Sequence, residues 1–341
     1  MSFSKIQKLD FSKAKILVIG DVMLDKFIFG NVNRMSPEAN VPILDVNSIL
    51  HYLGGAANVA SNLKSLNIDV NICSVVGNDE QGDKIINLLD DININTNYIY
   101  KSDFRKTTIK ARAIDSEKQL IRLDIEDTFD LNSTEYEILK KHIVECINNT
   151  NPDIIILQDY DKGIFNKKLI NFIIDLALDN NIRISVDPKR KHFNEYKNVF
   201  LFKPNLKEFN EYLHTQSKDF EFLGKKMLDF QNSNNIELFM LTLGSNGILI
   251  SKKSINQIWH IPTNSLVNAY VSGAGDSVIS IASGCLAINL DFIQTAIISN
   301  IAGRLACTKR GIASITVDEL NIEIEKHIKQ NTISANVITL N

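Results

Sequence analysis

"KILVIGD", residues 15–21, is a run of four aliphatic side chains that ends on a glycine and an aspartate. Aliphatic positions without polar alternation are what a strand buried on both faces requires, because its side chains meet a core in either direction. Similar runs recur at "NICSVVG", "DIIILQD", "IRISVD", "NVFLFKPN" and "FMLTLG", and most end in Asp, Asn, Gln or Gly. Between them lie helical patterns such as residues 56–66, where Val59, Ala60, Leu63 and Leu66 make one apolar stripe. Strand and helix alternate for most of the length. That order predicts an α/β fold with a parallel sheet, helices on both faces, and a ligand site beyond the carboxyl ends of the strands.

The bulk properties narrow the class. With 341 residues and 44% hydrophobic content the chain can bury a large core. A formal charge of -3 lacks the basic surplus of a nucleic-acid binder. Cys73, Cys146, Cys285 and Cys307 are widely spaced, which argues against a disulfide framework and a zinc site. "MSFSKIQKLDFSKAK" has no signal-peptide core, and no apolar run approaches the ~20 residues of a membrane helix, so a cytoplasmic protein is expected. No GxGxxG follows the first strand, which excludes a dinucleotide oxidoreductase.

Two segments break the alternation. "KFIFGNV" with "NVPILDVNSILHYL", and "KTTIKARAIDSEKQLIRLD", read as a small β-sheet inserted at about residues 26–50 and 105–124. In the second, Thr108, Lys110 and Arg112 alternate with Ile109, Ala111 and Ala113, which predicts a hairpin with one wet face. We expect this sheet to cover the site as a lid on a single domain spanning residues 1–341, and its exposed edge to serve a homodimer.

Four short motifs carry chemistry. In "VSGAGDSVIS", residues 271–280, Gly273, Ala274 and Gly275 let backbone N–H groups converge on one point at the start of a helix, whose dipole adds positive potential. Asp276 could cap that helix or take a proton from an attacking hydroxyl. "GGAANVA", residues 54–60, feeds a glycine pair into a helix whose first turn carries Asn58. In "NLKE", Asn205 and Glu208 stand three apart on a helical turn, which suits hydrated Mg²⁺ or an exposed cap. "LTLGSNG" carries Thr242, Gly244 and Gly247, and reads as a phosphate-binding loop or a hairpin turn.

In this order and at these separations the four motifs resemble the ribokinase-like (PfkB) family of carbohydrate kinases over nearly the whole chain. Within it, "GDVMLDKFIFGNVNRMSPEANVPI", "QLIRLD", "QDYDKGIF" and "VDPKRKHF" are similar to the branch acting on D-glycero-β-D-manno-heptose 7-phosphate. The resemblance implies a three-layer αβα sandwich with a mainly parallel central sheet and a small β-sheet lid. It implies Asp276 as catalytic base, with Gly273, Ala274 and Gly275 around the transferred phosphoryl group. Asn205 and Glu208 would organise Mg²⁺ through its waters, while Thr242, Gly244, Gly247 and Asn300 would border ATP. Asp25, Gly55 and Asn58 would meet sugar hydroxyls. A substrate that already carries phosphate asks for a cationic clamp, for which Arg34, Lys110, Arg112, Arg122, Lys162 and Lys189 stand in the matching stretches, with Asp187 beside Lys189.

The implied reaction is ATP-dependent phosphorylation of the anomeric oxygen of the heptose 7-phosphate to the 1,7-bisphosphate, a precursor of ADP-heptose and lipopolysaccharide. Another sugar phosphate such as fructose 6-phosphate, or a sugar-binding relative without turnover, are the alternatives. At Tyr270 the family usually has an Asp that helps hold a monovalent cation, so potassium activation is not carried over. The bifunctional relatives append a nucleotidylyltransferase domain with HxGH; without that motif a stand-alone kinase is expected, with a separate nucleotidylyltransferase downstream.

Overall fold

The structure is a computed structural model that describes residues 8–116, 118–263, 266, 270, 272–309 and 314–340. Val271 of the last motif, Glu117 of the expected hairpin turn and the first seven residues, read above for a targeting signal, lie outside the described residues.

The opening stretch forms β1 (Lys15–Gly20), followed by β2 (Val22–Met35), β3 (Pro42–Gly55), α1 (Ala56–Ser65), β4 (Asp69–Gly77), α2 (Glu80–Asp90) and β5 (Ile99–Ser102). Then come β6 (Ile109–Asp115), β7 (Lys118–Ile125), α3 (Ser133–Thr150), β8 (Ile154–Gln158), α4 (Lys167–Asp179) and β9 (Arg183–Asp187). The rest holds β10 (Leu201–Phe202), α5 (Leu206–Leu213), α6 (Phe220–Ser233), β11 (Leu238–Thr242), β12 (Ile248–Lys252), β13 (Gln257–Ile261), α7 (Ala274–Ala287), α8 (Phe292–Ala306), α9 (Val317–Lys329) and β14 (Asn336–Ile338).

Among the described residues the larger sheet runs β14-β13-β12-β11-β10-β9-β8-β1-β4-β5. The pairs from β11 to β5 are parallel, and β12, β13 and β14 add antiparallel edges. The period of two in β1 sorts its side chains between two cores. Ile16 and Val18 join α1, α7, α8 and α9 on one face, whereas Leu17 and Ile19 join α3, α4 and α6 on the other. All four are fully or almost fully buried, which gives the three-layer αβα sandwich expected from the run. The chain leaves β1 toward β4 on one side and β8 on the other, so the order reverses at β1 and opens a crevice at its carboxyl end. The expected strand in "NVFLF" is only two residues long, since Pro204 and the start of α5 follow at once.

The smaller sheet has the order β3-β2-β6-β7, with β2 parallel to β6 and the other pairs antiparallel. Register puts Ile49, Ile28, Ala113 and Ile121 in one cross-strand row, and Asp25 with Lys110 on the opposite face. The apolar face of the hairpin is only partly dry: Ala111 of β6 is buried, whereas Ile121, Leu123 and Ile125 of β7 are about half exposed.

Candidate active site

The N-terminus of α7 opens on the crevice. Gly273 is its N-cap, with φ 80°, a left-handed conformation suited to glycine, and no side chain caps the helix. The first intrahelical bond is Ser277 N–H to Gly273 O at 3.0 Å. The N–H groups of Ala274, Gly275 and Asp276 therefore point out of the helix end, where an anion finds both donors and dipole. Asp276 does not cap this helix, as one reading of the sequence had it. Its carboxylate accepts from Asn58 Nδ2 at 2.7 Å, Tyr160 Oη at 2.7 Å and Gln158 Nε2 at 3.2 Å. Burial pushes Asp276 up to about 6, opposed by the Asn58 and Tyr160 hydrogen bonds. A carboxylate so placed can take a proton near neutral pH.

Asn58 reaches Asp276 because Gly55 lets α1 start hard against β1. Gly55 has φ 58°, and a Cβ there would collide with the Asp21 carbonyl, which accepts from Ala56 N–H at 2.9 Å. Asp21 then fixes the loop after β8, accepting from the backbone N–H groups of Tyr160, Lys162 and Ile164 at 2.8, 3.2 and 3.2 Å. Burial and the nearby Asp159 raise its carboxyl well above the usual range. Asp159 is held in turn by His192 and Tyr196.

Asn205 and Glu208 are brought together, but as a reciprocal cap of α5. The Asn205 side chain accepts from Glu208 N–H, and Glu208 accepts from Asn205 N–H, both at 2.9 Å. Glu208 is buried rather than a surface residue, and its second oxygen pairs with Lys189. Lys189 also lies 5.1 Å from the Tyr160 ring centroid, and Glu208 first among its charged neighbours raises it against the effect of burial. Asp187, at the end of β9, is paired at 3.0 Å with the fully buried Lys203, whose ammonium would lie 3.9 Å from a Cβ on Gly275. Gln158 bridges Asp187 and Asp276.

On the other side of Asp276 the smaller sheet presents Asp25, ion-paired with Arg112. Gly54 leaves room beside it, since a Cβ there would press on the Asp25 carboxylate and the Met23 side chain. Burial raises Asp25 while Arg112 opposes the shift. Lys162 pairs with Glu126 at 2.9 Å, Lys110 approaches Asp124 and Glu126 at 3.4 and 3.5 Å, and Arg122 grips Asp124 through two bonds. Arg34 is not part of this cluster. It is exposed near the far end of β2, nine residues from Asp25, or about 30 Å along an extended strand.

Beyond the N-terminus of α7 lies a cleft of about 1000 Å³, lined by Asn205, Thr242, Gly244, Gly247, Ala274, Gly275 and Asn300 among others. "LTLGSNG" forms the hairpin turn joining antiparallel β11 and β12, and its Thr242, Gly244 and Gly247 line the cleft. Gly247 has φ 89°, and a Cβ there would collide with the Ile261 carbonyl. Asn300 donates to the carbonyls of Ile261 and Pro262 at 3.3 and 2.9 Å, which fixes β13 against α8 at the cleft wall. Tyr270 donates its N–H to Cys307 O at 2.9 Å.

The sequence reading missed Asp21, Gln158, Tyr160 and Lys203 as site residues. All stand at or just past strand ends, the positions that open-sheet geometry marks, and "QDYDKGIF" and "KPN" contained three of them.

Among the described residues no group of three or more His, Cys, Asp or Glu could form a metal cage. One buried carboxylate beside a nucleotide-sized cleft fits an ion held chiefly by phosphates and water, as Mg²⁺ usually is. No helix of the described residues is long and apolar enough to cross a membrane.

Comparison with known proteins agrees with the fold. The model of the pfkB family carbohydrate kinases matches residues 13–319, and the chain belongs to that family. It is thus a sugar kinase that transfers phosphate to an alcohol. Among curated proteins it is similar to the bifunctional protein HldE of Sulfurimonas denitrificans, 31% identical over 95% of this chain and 66% of that protein. To HldE of Helicobacter hepaticus it is 34% identical, over 92% of this chain and 64% of that protein. The chain therefore spans about two thirds of the length of these relatives. Among solved structures, phosphofructokinase-2 from Escherichia coli in complex with substrates and products superposes with TM-score 0.76 at 19% identity, covering 92% of this chain and 99% of that one. Arabidopsis thaliana ribokinase complexed with ribose and ATP gives 0.67 at 12%, covering 93% and 99%. At these identities the likeness shows the fold.

Proposed function

We propose that the protein phosphorylates the anomeric hydroxyl of D-glycero-D-manno-heptose 7-phosphate with ATP, giving the 1,7-bisphosphate and ADP. The observation that carries the chemistry is the Asp276 carboxylate, raised to about 6 and lying beside the uncapped N-terminus of α7 on the nucleotide-sized cleft. ATP occupies that cleft between α5, the β11–β12 turn and α8. The acceptor lies between Asp276 and the smaller sheet. Asp276 removes the hydroxyl proton, and the amides of Ala274 and Gly275 hold the γ-phosphoryl group as charge spreads over its oxygens. Glu208 and Asn205 would hold Mg²⁺ through water, and the ion would supply neutralisation of the phosphate charge. Phosphoryl transfer asks for positioning and electrostatics and needs no covalent nucleophile.

The heptose reading is supported by the similarity to HldE proteins and by the cations facing the acceptor side. Lys110 and Lys162 share Glu126, so a distal phosphate takes the place of that carboxylate between them. Fructose 6-phosphate is the second reading, favoured by the likeness to phosphofructokinase-2. A panel of heptose 7-phosphate, fructose 6-phosphate, ribose and adenosine, with ADP release measured, decides between them. Turnover of the heptose at the highest kcat/KM is expected; a higher value for fructose 6-phosphate replaces the reading, and no turnover with any of them removes it. The apolar row of Ile49, Ile28, Ala113 and Ile121 supports a homodimer through the smaller sheet, and light scattering that shows a monomer at micromolar concentration would end that part.

A further inference from the structure

Three donors hold the Asp276 carboxylate, and they are not equally replaceable. Asn58 and Gln158 are almost completely buried. The Asn58 side-chain oxygen accepts from Asn62, and the Gln158 amide is shared between Asp276 and Asp187, so withdrawing either would strand a buried partner. Tyr160 is only partly buried, and among the described residues its hydroxyl makes no second hydrogen bond. Its N–H donates to Asp21, as does that of Lys162, and the Asp161 N–H donates to Asp159, so the loop is held by its backbone independently of the Tyr160 side chain. An O–H group that donates 2.7 Å to the carboxylate is also the chemical equal of an alcohol whose proton that carboxylate removes.

We propose that the Tyr160 hydroxyl and the acceptor hydroxyl compete for the same oxygen of Asp276, making Tyr160 a positioning residue that marks the acceptor's place and sets its affinity. The proposal rests on Asp276 being the base. When the acceptor arrives, Tyr160 turns out toward Lys189, whose ammonium already lies over its ring. The carboxylate keeps the Asn58 and Gln158 donors throughout and exchanges one hydroxyl for another.

The groups that face Asp276 are Asp187 from β9, Lys203 after β10 and Tyr160 after β8, with the neutral amides of Asn58 and Gln158. Tyr160→Phe keeps the ring and removes the competitor. Measured at pH 8.5, where the carboxylate is ionised with or without this donor, the KM for the sugar should fall about three- to tenfold, the scale of one hydrogen bond. The KM for ATP should stay unchanged, and the acid limb of kcat/KM should move to higher pH, because a donor to the ionised form is lost. A sugar KM that rises or does not move overturns the proposal. A ¹³C titration of the Asp276 carboxyl without any sugar reads the same bond independently. It should shift upward in Tyr160→Phe, and an unmoved titration overturns the proposal even if the kinase reading stands. Failure of every sugar in the panel, with the carboxyl titration shifted, would instead strike the kinase reading.

Discussion

Helices α5 and α7 begin on the same cleft with an acidic residue at the same place in the first turn, and they use it in opposite ways. In α5 the N-cap is Asn205, and Glu208 reaches back to its N–H, so the two side chains close the helix end. In α7 the N-cap is Gly273, which offers no side chain, and Asp276 turns to Asn58, Tyr160 and Gln158 instead. Capping boxes also close α3 and α9, through Asn132 with Glu135 and Thr316 with Glu319. The glycine thus separates a helix end that is satisfied within the chain from one left open to an anion. The carboxylate it releases becomes available for proton transfer.

The sharpest way to break this contrast is Asp276→Asn, which keeps the size and removes the base. A kcat loss of ~10²–10⁴ is expected, the usual scale for a general base; unchanged turnover would mean the α7 carboxylate has no chemical role. Next in size, Lys203→Met leaves Asp187 buried without its cation, and urea unfolding should show a loss of about 3–5 kcal/mol. A loss below 1 kcal/mol would show that Asp187 does not depend on Lys203.

The pH dependence of stability sharpens the same point. Asp276 lies above its ordinary 3.8 in the folded state, so its contribution is fully present below about pH 4 and is lost as pH rises through about 6. The stability of wild type relative to Asp276→Asn should therefore fall by about 3 kcal/mol between those limits. Parallel stability curves for the two proteins would contradict a raised carboxyl. The smallest effect is expected at α5. Glu208→Gln retains the cap, since Gln also serves at that position, but gives up the charge facing the one-third exposed Lys189, and should cost about 1 kcal/mol of stability while raising the Mg²⁺ requirement. An unaltered Mg²⁺ titration would leave Glu208 as a cap and the partner of Lys189.

The layers were legible because the buried strands write themselves as mainly apolar runs, and β1 sorts Ile16 and Val18 from Leu17 and Ile19 by parity alone. The motif positions were legible too, since Gly273, Asn205 and Gly247 answer local backbone needs. Less legible was Tyr160. Nothing within "QDYDKGIF" distinguishes its hydroxyl from that of any surface tyrosine. Arg34 shows the opposite effect, since it is near a site motif in sequence yet stands nine residues along β2 from Asp25.

The sequence by itself determined the sandwich, the glycine at the start of α7 and the reciprocal cap of α5, because all three depend on side-chain period or on contacts within four residues. Only the tertiary structure decided which carboxylate would be freed and what would hold it. Asn58, Gln158 and Tyr160 lie 218, 118 and 116 residues from Asp276, and only the packing of α1, β8 and α7 around the end of β1 brings donors so remote in sequence within hydrogen-bonding distance.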